Sequence, residues 1–534
     1  MRKSFLYSVL TILLLLNFKD LEGARTYQWN EAQKHVGESI TVEGVIKYTK
    51  NIGNICFLNF HPNFEKYASI LIFGEYFSSF PKSPEIYYYL KKVRIHGKVT
   101  SYKGKAQIKI YSPRQIEVIG EYERQENPLE CKCNYPKQLE ITAINIGQGD
   151  ATLIASPSKI MLADAGESHW YSNADALKID SVIRSKYGEN CRCIDYVVVS
   201  HFHLDHIGYI FLPETPDELP LSVNMKPLEI GDTPYKPVGY GGLGYLVLEK
   251  GYKIGKMLVR NYRNHNPNKS PQEEGSKTFR NWRFVLESKE GKKRFHPEIV
   301  QLGKDQIQLG EIGNIPVIVD IISTDGATPS YPNGCDPSRF FGGPQFIVRG
   351  DHSTDRLPPS ENDLCITIII SFGNFQIFIG GDLSGENYES EFGYRYHDME
   401  QCLSSDPYII SNYGKRVEIL RANHHGSSHS SNSEFFKMIN PIATIFSVGD
   451  HNTYGHVDPI ILDRARKFSK VVYLTECGDN IANKKEANSI GVIVVDGEYP
   501  KELEENEVGD QNIEIFVNMD GKRFYLQGTE YLSH

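Results

Sequence analysis

After residue 16 the chain has no apolar run approaching the roughly eighteen residues that a membrane-spanning helix needs, so no later segment is expected to insert stably into a bilayer. It has no internal repeat, which sets aside solenoids and propellers. It lacks the CxxC knuckles typical of structural zinc sites; its nine cysteines include two close pairs, Cys131/Cys133 and Cys191/Cys193. A general excess of positive charge is also missing, and a net charge of −9 argues against a surface coated uniformly for nucleic acid. At 534 residues the chain exceeds what one small core can organise, so two or more domains are expected.

At the start, Arg2 and Lys3 precede an apolar stretch over residues 5–16 and a small-residue segment around Gly23 and Ala24. This order reads as a secretory signal peptide over residues 1–24, with an exported product, periplasmic or extracellular. Export favours oxidised cysteines, and neighbours one residue apart rarely bond each other. A disulfide is therefore expected between one member of Cys131/Cys133 and one of Cys191/Cys193.

Residues 25–122 hold short strand-like runs, "SITVEGVI", "ICFLNF", "ASILIF", "KVRIHGKVT" and "AQIKIY", at the spacing of a small β-barrel. The phrases "GESITVEGVI", "VRIHGKVTSYKGKAQIKI" and "SPRQIEVI" resemble bacterial oligonucleotide/oligosaccharide-binding (OB) folds. A polar linker covers 123–138. From 139 to 500 strands alternate with helical stretches, interrupted at about 211–350 by Pro-, Gly- and aromatic-rich sequence that reads as a long insertion. An acidic connector and a hairpin turning at Asp520-Gly521 fill 501–534.

The richest chemistry lies in "SHFHLDHIG", residues 200–208, directly after the apolar run 194–199. His201 and His203 stand two apart and can point to one side of an extended segment, while Asp205 and His206 turn toward a helix. Such a loop can offer the first two to one metal ion and the last two to another.

This motif resembles the HxHxDH signature of the metallo-β-lactamase fold, a four-layer αββα sandwich. "INIGQGDATLI" with "KIMLADAG", "FIGGDLSGE", "VEILRANHHGSSHSS" and "ATIFSVGDHNTYGHVDP" are similar, in order and spacing, to the metallo-hydrolase domain of ComEC competence proteins. The resemblance implies an α/β fold with an N-terminal OB-like barrel and two divalent metal ions, zinc or manganese. It implies His201 and His203 at the first ion, Asp205, His206 and His456 at the second, and Asp382 bridging them. Asp164 would orient a ligand from behind. His424 and His425 would join Asp382 in catalysis or substrate binding, with His425 favoured, while His429 and His451 read as surface histidines. Where many relatives carry another histidine before the bridging aspartate, this chain has "SENDLCITI", leaving Asn362, Asp363, His352 or water as the next ligand of the first ion. Val457 replaces the usual proline.

The ComEC resemblance implies metal-assisted phosphodiester hydrolysis, with nucleic acid as substrate. Residues 250–294 agree, holding thirteen Lys or Arg against four acids, interleaved with Tyr252, Tyr262, Phe279, Trp282 and Phe284. Arg280, Trp282 and Arg283 are the candidate contacts. A small-substrate hydrolase, such as a phosphocholine esterase or lactonase, would use the same metal core. A non-enzymatic binding module would hold metal without turnover.

Overall fold

The computed structural model describes residues 26–46, 48–51, 54–60, 67–81, 84–88, 91–121, 132–167, 173–211, 239–262, 269–270, 273–274, 276–336, 348–349, 357–391, 393–450, 452–496 and 511–534. The expected signal segment, Cys131, His352, His451 and most of the acidic connector lie outside them. Two compact units divide the chain, Met1–Leu129 and Glu130–His534.

The first unit is built on a β-sheet of eight strands. Its longest strand, Lys91–Tyr102, alternates buried Val93, Ile95 and Val99 with exposed lysines and arginine, the two-residue period of a half-buried strand. It pairs antiparallel with Ser39–Val45, Lys105–Lys109 and Ile116–Glu121. Ile40, Val42, Leu58, Ile70 and Ile72 meet those valines and isoleucine in one core. The strand-rich character expected for residues 25–122 is therefore present. The described pairings run in one open order between Thr26–Gln28 and Tyr48–Asn51.

In the second unit the chain first lays down β1 (Leu139–Ala143), β2 (Thr152–Ala155), β3 (Ile160–Ala163), β4 (Cys193–Val198), β5 (Lys253–Val259) and β6 (Pro297–Ile299). It then builds a separate sheet in sequence order: β7 (Gln308–Ile312), β8 (Ile315–Ser323), β9 (Thr367–Phe372), β10 (Phe375–Ile379), β11 (Ile419–Arg421), β12 (Ala443–Phe446), β13 (Val471–Leu474) and β14 (Ile493–Val494). Finally β15 (Ile513–Val517), β16 (Arg523–Leu526) and β17 (Thr529–Leu532) return to the first sheet beside β1, giving the order β6-β5-β4-β3-β2-β1-β15-β16-β17.

The apolar contacts define four layers. Ile141, Met161, Val198 and Leu258 of the first sheet meet Ile321, Ile370, Ile377 and Ile445 of the second. On the outer face of the first sheet, Leu153, Leu162 and Met257 pack on α1 (Ala174–Tyr187), α2 (Gly242–Leu248), α3 (Lys277–Glu287) and α4 (Lys289–Phe295). Beyond the second, Ile369, Phe378 and Leu420 pack on α5 (Met399–Ser405), α6 (Pro407–Tyr413), α7 (Ser433–Ile439) and α8 (Pro459–Phe468). Sheets buried on both faces demand apolar residues at successive positions, as in "TIIISF". The result is an αββα sandwich, the layering implied by the sequence.

One expectation is corrected. Residues 211–350 are not an insertion as a whole: β5 and β6 pair parallel in the first sheet, and β7 and β8 form the edge of the second. The expected C-terminal hairpin is present, and its Ile513, Ile515, Phe524 and Leu526 help fill the space between the sheets.

The aromatic stacking surface expected near Trp282 is also overturned. In α3 the residues Phe279, Trp282, Val285 and Leu286 recur at helical spacing and face inward, where they are buried. The Trp282 indole N–H donates to the Gly208 carbonyl at 2.8 Å, fastening α3 under the metal-loop motif. Tyr252 and Tyr262 are buried in the same core. Arg283 lies on the outer side and bonds Glu287 at 3.2 Å, while Arg280 is partly exposed.

Cys133 is disulfide-bonded to Cys191, joining the entry to the unit with the turn before β4, as the close pairs suggested. A second bridge, Cys335–Cys402, had no spacing signal.

Because Trp282 is a core residue, Trp282→Ala is expected to destabilise the protein by about 3–5 kcal/mol. Denaturant unfolding checks this, and an unchanged midpoint would contradict the buried placement.

Candidate metal centre

Every side chain of the centre follows the carboxyl end of a strand that has a parallel neighbour: Asp164 after β3, residues 201–206 after β4, Asp382 after β10, His424 and His425 after β11, and His456 after β12. In both sheets this is the end at which antiparallel pairing gives way to parallel pairing, where diverging connections leave a crevice. The backbone there is held in sparsely populated conformations. Asp164, His424 and His425 all take left-handed φ values, 59°, 50° and 52°. Each costs of order 1–3 kcal/mol and persists only because its surroundings fix it.

Two buried ion pairs do much of that fixing, one in each direction between the sheets. Arg260, following β5, meets Glu361, just before β9, at 2.5 and 2.6 Å, and Glu361 also accepts the Phe202 N–H between the two motif histidines. Arg421, ending β11, meets Asp150, after β1, at 2.5 Å, and the Asp150 N–H donates to the Asp205 carbonyl at 2.9 Å. Gly166 lies against the Asp205 backbone so closely that a Cβ has no room.

The donor atoms converge on Asp382. Its Oδ1 is 2.9 Å from His206 Nε2 and 3.5 Å from His425 Nε2, and His425 Nε2 is 3.3 Å from Asp205. Its Oδ2 is 3.8 Å from His201 Nε2 and 3.6 Å from His424 Nε2. His203 completes that side, its Nδ1 2.9 Å from His201 Nε2. Two groups with metal-binding geometry therefore share one carboxylate: Asp205, His206, Asp382 and His425 in one, His201, His203 and Asp382 in the other.

The hydrogen bonds behind the rings decide what these nitrogens present. His206 Nδ1 lies 2.9 Å from Asp164, which also accepts the Ser200 N–H and hydroxyl at 2.7 Å each. His425 Nδ1 lies 2.9 Å from the Ser447 carbonyl, which can only accept. Both rings thus donate through Nδ1 and aim an Nε2 lone pair at the carboxylates. His206 Nε2, His425 Nε2 and Asp382 Oδ1 are buried and face one another and Asp205. Lone pairs facing a carboxylate in a dry site call for a proton or a cation between them, and the convergence of these donors fits divalent metal.

The electrostatics agree. Burial alone would depress His206, but Asp382 and Asp205 overcome it and hold the ring well above its usual value. Against the same burial, Asp382 and the bond to Asp205 push His425 up to about 9. In turn the histidines outweigh burial of the carboxylates, bringing Asp205 to about 2 and Asp382 well below its ordinary range. The potential that draws protons onto these rings is the one a divalent cation would neutralise in their place.

Several sequence expectations change here. His456 stands outside both donor groups: its Nδ1 accepts from the Gln148 side-chain amide at 3.0 Å, and Gln148 is oriented by the Gly449 N–H donating to its Oε1. His425 occupies the place expected for His456 in the second group. Asp363 turns away to His397, at 2.8 Å, whereas Asn362 Nδ2 is 3.4 Å from His424 Nε2. Asp164 takes the supporting position expected of it. His429 is partly exposed and bonds Glu386 at 2.9 Å. The pairs Arg260–Glu361 and Arg421–Asp150 went unforeseen, being 101 and 271 residues apart in sequence.

No family model matches the chain. It is 25% identical over 156 residues to ComE operon protein 3 of Bacillus subtilis (strain 168), a stretch covering 29% of this chain and 17% of that protein. The metallo-beta-lactamase fold protein YhfI of Bacillus subtilis aligns at 12% identity and a TM-score of 0.30, covering 63% of this chain and 95% of that one. CmlA, a diiron beta-hydroxylase of Streptomyces venezuelae, aligns at 11% identity and a TM-score of 0.28, covering 58% of this chain and 45% of that one.

Asp164→Asn is expected to weaken divalent-metal affinity about 10–100-fold, because it withdraws the acceptor that fixes His206. Titration calorimetry with zinc and manganese checks this, and an affinity equal to wild type would remove the assigned role.

Proposed function

We propose that the chain is an exported, binuclear metal-dependent hydrolase of metallo-β-lactamase type that cleaves phosphodiester bonds in nucleic acid. The observation that carries this reading is Asp382, whose two oxygens face two separate sets of donors, imidazoles alone on one side and imidazoles with Asp205 on the other. His201 and His203, with His424 alongside, would hold one ion; Asp205, His206 and His425 would hold the other. Two divalent ions so held would supply Lewis-acid activation of water and neutralise charge developing at phosphorus.

The remaining residues have roles of their own. Gln148 donates to His456 Nδ1, so His456 carries its proton on Nε2. Burial, with His424 and His425 nearby, brings this ring down to about 3, which keeps it neutral at physiological pH. A neutral imidazole with a fixed Nε2–H is a hydrogen-bond donor suited to a phosphate oxygen or a leaving oxygen. His425 moves from the expected part in catalysis or substrate binding to that of metal donor.

The likeness of "HFHLDH", "FIGGDLSGE" and "VEILRANHHGSSHSS" to ComEC-type domains supports the phosphodiesterase reading, as does the OB-like pattern of residues 25–122. The cations of residues 250–294 support it in part: their aromatic neighbours are core residues, but Arg280, Arg283, Lys292 and Lys293 remain partly or fully exposed to guide a polyanion. Disulfides at Cys133–Cys191 and Cys335–Cys402 favour an oxidising compartment.

The test is a substrate panel with manganese or zinc supplied: an oligonucleotide, a phosphocholine ester and a lactone. Oligonucleotide cleavage is expected, with Asp382→Ala reducing kcat about a thousandfold. Turnover confined to the ester or lactone would transfer the site to a small substrate, and metal binding without any turnover would make the chain a binding module.

A further inference from the structure

Six rings form an unbroken file across the mouth of the metal centre. His429 stacks on Tyr388 at 3.9 Å between centroids and Tyr388 on Tyr396 at 4.3 Å; Tyr396 then faces His424 at 6.4 Å. His424 meets His456 edge-on at 5.7 Å, and His456 lies near-parallel to Tyr454 at 5.7 Å. The file thus passes over the donor residue His424 and ends at Tyr454, which is 71% exposed although its neighbour His456 is buried.

Tyr454 is exposed but its backbone is not loose. The Asn452 side chain bonds four backbone groups of the loop, accepting from the Tyr454 and His456 N–H groups and donating to the Gly449 and His456 carbonyls at 2.7–3.2 Å. Asn480 Nδ2 donates to the carbonyls of Gly455 and Val457 at 2.7 and 3.0 Å. An aromatic face presented to solvent on a loop tied at six points is pre-organised for a flat ligand, since little freedom remains to be lost on binding.

We propose that Tyr454 is a stacking platform for a nucleobase of single-stranded nucleic acid, adjoining the phosphate at which the strand is cut. The inference rests on the phosphodiesterase reading and names its substrate more narrowly. Single-stranded bases have free faces, whereas bases in a duplex are already stacked, and any base can occupy an aromatic platform without sequence readout. Tyr454 is thereby the aromatic contact that the buried Trp282 cannot provide. On the far side of His424 the file ends at the partly exposed ring of His429.

The experiment compares wild type with Tyr454→Ala, Tyr454→Phe and Tyr454→Trp. Two substrates are used: a single-stranded DNA decamer, and the same decamer with abasic sugars flanking the cut phosphate. Tyr454→Ala is expected to lower kcat/KM on the base-bearing strand about tenfold to a hundredfold more than on the abasic strand, and the Phe and Trp variants to retain most of the wild-type value. A decamer carrying 2-aminopurine beside the cleavage position gives a readout independent of turnover: its emission should be quenched by wild type and not by Tyr454→Ala. Equal losses on the two strands, or equal quenching by both proteins, would overturn the platform while leaving the hydrolase intact. A metal-loaded wild type that cleaves neither strand would overturn the phosphodiesterase reading, and the platform with it.

Discussion

The whole second unit is organised around one electrostatic problem: the Asp382 carboxylate is buried between imidazoles whose lone pairs point at it. Such lone pairs and a carboxylate can lie together in a dry crevice only with a proton or a cation between them, which is why Asp382 and Asp205 raise the proton affinity of His206 and His425. The fold keeps them there because each ring is held from behind, His206 by Asp164 and His425 by the Ser447 carbonyl, so neither can rotate away. A divalent cation bound beside Asp382 would take the place of those protons and draw the same donors together.

Seen this way, the two sheets are a clamp. Each contributes strands whose carboxyl ends carry donors, and each sends an arginine to a carboxylate near the other's margin, Arg260 to Glu361 and Arg421 to Asp150. Removing one member of a buried pair leaves an uncompensated charge, at a cost of roughly 3–5 kcal/mol. Such pairs make the separation of the sheets, and with it the spacing of the donors, insensitive to small motions elsewhere. The left-handed backbone at Asp164, His424 and His425 is the local cost of turning three strand ends toward one point.

The donors of residues 201–206 were legible because they are local in sequence: "HFHLDH" follows an apolar strand and sits where such a strand must end. Asp382, His424 and His425, far along the chain, were implied only by the likeness of "FIGGDLSGE" and "VEILRANHHGSSHSS" to ComEC-type domains. The aromatic residues of α3 misled because alternation with cations resembles a nucleic-acid surface, although the spacing of Phe279, Trp282 and Leu286 is that of a helix face turned inward. The strands at 253–259 and 297–299 were hidden by the irregular sequence around them; they became strands through pairing with β4 and with each other, a tertiary choice that local pattern does not contain. The exchange of His456 for His425 could not be read either, since it turns on which ring nitrogen is occupied, and that depends on Gln148, 308 residues away.

The most direct test is crystallographic: crystals grown with manganese, and the anomalous difference density at the centre. Two peaks are predicted, about 3.5–4 Å apart, with the Asp382 carboxylate between them. One peak faces His201 and His203, and the other faces Asp205, His206 and His425. A single peak, or a peak coordinated by His456 in place of His425, would contradict the account.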